Sequence, residues 1–187
     1  QVASFAGPSA VTDIRAANRI MLLPFGLFAV AISTAAFPKL AQLISLGNTE
    51  EFRRTISKSI RAILFLSIPA AVGIFVLSYP LTCLLWGGGR YLIEDIGAAS
   101  FTLSFFIWGL LALGALQVIN RSFYALQDTI TPVVMQVLMV GGNALLGWAL
   151  IKFSDIKYAG IAFSTSLTTT ACALVLFEVL RRRVKGL

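Results

Sequence analysis

Chemistry-bearing residues fall at usable spacings in a few places. Thr12, Arg15 and Arg19, followed by Gly26 and Ser33, recur at intervals of three, four and seven, which lays a polar or small stripe along one helix face. Inside a membrane such a stripe turns inward, because a charge facing lipid is costly and a guanidinium demands a partner or water. A second reading of Arg19 stays open: an arginine that snorkels to the outer headgroups. Asn143 follows Gly141-Gly142, and a row of hydroxyls, Ser164, Thr165, Ser166, Thr168, Thr169 and Thr170, lies one span later. The amide oxygen of Asn143 with the hydroxyls of Thr165 and Ser166 could ligate a hard cation such as sodium. An acidic ligand is expected for that task and none is near, and the same residues also serve as ordinary hydrogen-bonding glue between membrane helices.

The third place is Asn120 to Pro132, reading NRSFYALQDTITP, a strongly polar patch between two long apolar runs. It reads as the turn of a helical hairpin. Thr131 followed by Pro132 predicts a helix start, with Thr131 capping the orphan amides and Pro132 at the first helical position. Arg121, Ala125 and Asp128 recur at helical spacing, so the preceding helix is expected to run on and carry both charges on one face, as a cytoplasmic clasp. A solvated hairpin cap accounts for the same spacing.

The elements that must position these groups are membrane helices. The chain is 58% hydrophobic, above the roughly 45–50% of a soluble domain. Charge-free runs at Ile20–Pro38, Ala62–Gly89, Ile96–Asn120, Thr129–Ile151 and Tyr158–Phe177 each approach or exceed the roughly 20 residues a bilayer core requires. The expected fold is therefore all-α, a polytopic bundle of about five transmembrane helices. Pro24, a turn after Arg19, removes a backbone hydrogen bond, so with Gly26 it marks a bend or hinge in the first span. Asn48 with Glu51 resembles a capping box, and Phe52, Ile56, Ser59 and Ile60 oppose Arg53, Arg54 and Lys58, which predicts a cytoplasmic amphipathic helix riding the interface.

Net charge is +7. Lys and Arg concentrate at Lys39–Arg61 and at the cluster Arg181–Lys185, and alternation of the connections assigns these and Arg121–Asp128, which carries a single Arg, to the cytoplasm, with Gly87–Asp95 and Ser154–Lys157 outside. That distribution fits loops at a membrane better than a nucleic-acid groove. Cys83 and Cys172 lie inside apolar runs and read as small hydrophobes. Histidine is absent, and no cysteine or carboxylate cluster has metal-ligand spacing. Opening at Gln1 without Met or a signal pattern, the chain reads as an excerpt of a longer polypeptide.

Two long stretches resemble the MurJ (MviN) family of lipid II flippases, within the multidrug/oligosaccharidyl-lipid/polysaccharide (MOP) exporter superfamily. Ala16 to Leu40, AANRIMLLPFGLFAVAISTAAFPKL, is similar to the family's eighth-helix pattern, with its L-P-x-G-L-F turn and closing P-x-L. Arg121, Phe123-Tyr124-Ala125, Asp128-Thr129 and Thr131-Pro132 resemble its R-x-F-Y-A-x-x-D-T-x-T-P hairpin. The resemblance implies that 1–187 is a piece of the C-terminal lobe of a two-lobe transporter, from the end of a seventh helix through a twelfth, with the N-terminal lobe and the last two helices absent. It implies alternating access for an undecaprenyl-pyrophosphate-linked substrate, lipid II, in the bacterial plasma membrane, and no covalent chemistry. Arg19 stands where the family has a cavity arginine that grips the pyrophosphate, a task suited to its bidentate fork. Asn18 stands where many members have Asp, and Leu22 where some have Glu; Arg15 and Thr12 share the stripe. Another MOP-superfamily exporter, or a membrane scaffold for cell-wall enzymes, is the alternative.

Overall fold

The computed structural model describes Leu22, residues 25–80, Cys83, and residues 93–153 and 159–184, side chains at 93–108, 151, 153, 159 and 161 apart. Every regular element among these residues is helical. The chain runs from a π-helical segment, Phe25–Val30, into α1 (Ala31–Ser45), then α2 (Thr49–Val76), α3 (Ile93–Ala125), α4 (Ile130–Phe153) and α5 (Ala159–Arg183). Four stretches among the described residues are long and apolar enough to cross a membrane: Phe25–Ser45, Thr49–Val76, Ile130–Leu150 and Ala162–Arg183. The remaining expected span falls within α3, a 33-residue helix. Pro24 lies outside the described residues. Gly26 sits in the π-helical segment, the kind of local widening that accompanies kinks and functional sites in helices.

α3 is the spine. It packs most extensively along α5 and next along α2, while α4 leans almost entirely on α5. Close approach of α3 and α5 depends on Gly109: a Cβ there would stand 2.8 Å from the Ser166 hydroxyl and 3.1 Å from the Ser166 Cα. Among the described residues, Leu40, Phe52, Ile56, Phe123, Leu176 and Leu180 share one buried cluster.

Two expectations change here. The amphipathic segment is not a separate helix on the membrane surface: Thr49–Val76 is one helix of 28 residues. Nothing near Arg61-Ala62 breaks a helix, and Phe52, Ile56 and Ser59 are buried against the bundle while Arg54 and Lys58 face outward. Residues 39–45 are likewise helical, so α1 and α2 are joined by the short turn Leu46-Gly47-Asn48. Cys172 is buried as expected, but Cys83 is exposed.

The apolar surface matches a bilayer. Val133, Val137, Val140 and Leu145 of α4 are more than half exposed, and at the helix end the Lys152 ammonium lies 5.0 Å over the Trp148 ring. An aromatic with a snorkelling lysine is the signature of an interface. At about 1.5 Å per residue, the rise from Ile130 to Lys152 is roughly 33 Å, close to the hydrocarbon thickness of about 30 Å.

Candidate functional site

The polar groups singled out in the sequence separate into a hairpin end, a mid-span cluster and the stripe. The two hairpin turns among the described residues are built on one local plan. After α1, Gly47 takes φ +68°, its N–H donates to the Ile44 carbonyl (3.0 Å), and the Asn48 N–H donates to the Leu43 carbonyl (2.9 Å). After α3, Gln127 takes φ +61°, with its N–H on the Tyr124 carbonyl (3.0 Å) and the Asp128 N–H on the Phe123 carbonyl (3.0 Å). This is the left-handed helix stop, which satisfies orphan carbonyls. The residue just past each stop caps the next helix. Asn48 Oδ1 accepts from the Glu51 N–H at 3.1 Å, and Asp128 Oδ1 accepts from the Thr131 N–H at 3.0 Å.

The second hairpin therefore differs from its sequence reading. α4 begins at Ile130, not Pro132, and the cap is Asp128, not Thr131, whose hydroxyl donates to Asp128 Oδ2 at 2.7 Å. Pro132 is buried within the first turn. Arg121 and Asp128 do not share a helix face, because α3 ends at Ala125 and the left-handed residue turns the chain. Asp128 instead forms an ion pair with Arg183 at the end of α5. Arg121 lies with its Cζ 5.7 Å from the centre of the Phe37 ring, tying α3 to α1. The bonds from Thr131 hold the Asp128 carboxyl below its ordinary value, burial opposes them, and the Arg183 guanidinium adds to the lowering. Tyr124 is half-buried, and its carbonyl closes the helix stop.

In mid-span, Asn143 meets α5 through two neighbours. Ser164 Oγ donates to Asn143 Oδ1 at 2.7 Å, and Asn143 Nδ2 donates to Thr165 Oγ1 at 3.1 Å. Thr165 is thus where the sequence placed it, whereas Ser166 faces Gly109 of α3 and Ser164 takes its place. The rest of the row is largely spent within α5: Thr168, Thr169 and Thr170 each donate to the carbonyl four residues earlier at 2.7 Å. Three uncharged oxygens suit a hard monovalent cation in kind. Among the described residues no group of three His, Cys, Asp or Glu could hold a metal.

Thr12, Arg15, Asn18 and Arg19 lie outside the described residues. Of their stripe, Ser33 is buried, its hydroxyl on the Val30 carbonyl at 3.0 Å, and Gly26 has open space around it. The partners missed by sequence reasoning, Arg183, Ser164 and Phe37, each come from another helix.

A bundle of bilayer-length helices, apolar outside, with polar contacts at one end and in mid-span, is a multi-pass membrane protein. The family described as lipid II flippase MurJ matches residues 1–187, and the chain belongs to it. It is 32% identical to the probable lipid II flippase MurJ of Haemophilus influenzae over 97% of this chain and 36% of that protein. It is 27% identical to the lipid II flippase MurJ of Burkholderia cenocepacia over 97% of this chain and 35% of that protein. A solved structure of lipid II flippase MurJ in an inward closed conformation superposes with a TM-score of 0.83 at 28% identity, covering 95% of this chain and 37% of that one. The chain spans about a third of the length of the curated relatives it matches.

Proposed function

We propose that this chain is part of the C-terminal lobe of a flippase that moves lipid II from the cytoplasmic to the outer leaflet of the inner membrane for cell-wall synthesis. The observation that carries the reading is the superposition of nearly the whole chain on a flippase structure. In such transporters rocking of one helix bundle against another exposes a central site alternately to each side. A lobe that rocks must move as a body, and the hairpin stops, the Asp128–Arg183 pair and the Arg121–Phe37 contact support that by fastening five helices at one end. That end is cytoplasmic in this reading, because Arg181, Arg182 and Arg183 close α5 there. The π-helical segment Phe25–Val30, which contains Gly26 and follows Pro24 in sequence, serves as the hinge that lets the stripe tilt toward the cavity.

Within the cavity Arg19 grips the pyrophosphate, with Arg15, Asn18 and Thr12 beside it. Asn143, with Thr165 and Ser164, offers a place for a coupling sodium ion. No bond in the substrate is made or broken. The test is to build Arg19→Lys, Arg19→Ala and Arg19→Glu into the full-length protein and measure precursor reaching the outer leaflet. Activity should fall in that order, because an ammonium keeps the charge without the two-pronged contact. Full activity in Arg19→Ala at normal membrane levels would remove Arg19 from the site.

A further inference from the structure

We infer that a groove on the cytoplasmic half of the bundle, between α2, α3 and α5, holds an anionic glycerophospholipid of the surrounding leaflet, headgroup on α2 and acyl chain between the helices. The upper part is an open pocket of about 350 Å³ edged by Arg53, Arg54 and Arg61, with Ser57 between them and Glu50 at one side. Three guanidinium groups against one carboxylate leave two positive charges. Glu50 engages Arg53 at 3.5 Å and Arg54 at 3.3 Å, while Arg61 has no ion pair among the described residues. Ile60 and Phe177 floor this pocket and also line a second one of about 300 Å³, which continues along α3 and α5 past Leu64, Ala115 and Leu174.

The level of the groove selects a lipid. Arg61 is the last charge before the uncharged run Ala62–Gly89, so the guanidinium rim lies at the headgroup plane and the second pocket at acyl depth. Arg53 and Arg61 are eight residues apart, about 12 Å along the helix, and long side chains from either end can converge above Ser57. There the forks meet phosphate oxygens and the Ser57 hydroxyl can donate to a third. Basic pockets between helices on the cytoplasmic side are suited to anionic headgroups. Ala112, Ala115 and Ala173 line the lower slot, and their small side chains leave room there for a hydrocarbon chain. A protein segment laid over the rim would have to bring carboxylates for the arginines.

The test uses full-length protein in detergent, titrated with phosphatidylglycerol or phosphatidylcholine and read by native mass spectrometry. Phosphatidylglycerol should bind preferentially. The pair Arg53→Gln with Arg61→Gln should weaken it about tenfold or more, at roughly 1 kcal/mol per arginine near the headgroups. Lys58→Gln, exposed on the same helix but away from the groove, should change nothing, and Ala115→Trp should weaken both lipids by filling the slot. Glycerol phosphate at millimolar concentration should not compete, since it lacks the chain. Both arginine substitutions lie at the water interface, so they keep the test decisive if Ala115→Trp fails to fold. An unchanged preference in the arginine pair, equal competition by glycerol phosphate, or photocrosslinking from position 115 to protein instead of lipid would each overturn the site.

Discussion

Asp128 performs two tasks that substitution can separate. It caps α4 through the Thr131 N–H and pairs with Arg183 at the end of α5. Losing a cap costs about 1 kcal/mol. The ion pair has one half-exposed partner, since the Arg183 side chain is 52% accessible, so screening limits it to under about 1 kcal/mol. Asp128→Ala should therefore loosen the α4–α5 contact by about 1.5–2 kcal/mol, summing both effects. Asp128→Asn should cost less than about 1 kcal/mol, because asparagine caps as well as aspartate and only the charge is lost.

Cys172 reports this opening directly. It is buried where α5 meets α4, its sulfur 3.9 Å from the Met135 carbonyl, inward from the latch. In a Cys83→Ser background of the full-length protein, labelling of Cys172 by a membrane-permeant maleimide tracks the open fraction when closing is fast. The rate should rise about 10- to 30-fold in Asp128→Ala, several-fold in Asp128→Asn and Arg183→Gln, and no further in Arg183→Gln added to Asp128→Asn. The folded-state carboxyl titrates below its ordinary value. Its contribution is thus complete above about pH 4 and lost as pH falls through the lowered folded value. The gap between wild type and Asp128→Asn should stay constant from about pH 5 to 8 and close in acid. Equal labelling in wild type and Asp128→Ala, or additive effects in the double variant, would refute the latch.

Further outcomes follow from the same geometry. Gln127→Gly should stabilise the hairpin by up to about 1 kcal/mol by relieving a left-handed side-chain residue, whereas Gly47→Ala should cost about as much; thermal unfolding in detergent reads both. Gly109→Ala should cost about 1–3 kcal/mol, more than Gly114→Ala. A Cβ at 109 meets the Ser166 Cα at 3.1 Å, while one at 114 meets a side-chain tip, Ile63 Cγ2, at 2.8 Å. Equal melting points would contradict the close α3–α5 approach. Asn143→Leu should abolish any stabilisation by sodium over choline in the full-length protein, and a retained sodium effect on melting would remove Asn143 from the cation site.

The spans were legible because absence of charge over a bilayer's length has one common explanation, and the Asn48 cap because Asn followed by Glu51 is a common helix opening. The second hairpin has the same backbone but hides it. Gln127 gives no hint of a left-handed φ, so spacing alone extends the helix through it and sets Asp128 on Arg121's face. Thr131-Pro132, a common helix opening, suggests a cap three residues beyond Asp128, which caps α4. Partners across helices were less legible still. Arg181, Arg182 and Arg183 point about 100° apart around α5, and only packing chooses which meets Asp128. The same rotation turns Ser164 to Asn143 and Ser166 to Gly109. Periodicity within one helix states which residues share a face, but the facing helix is fixed by where small residues permit approach. Here Gly109 sets that approach, so the phase of α5, and with it the identity of every cross-helix partner on the row from Ser164 to Arg183, depends on a glycine more than fifty residues away in sequence.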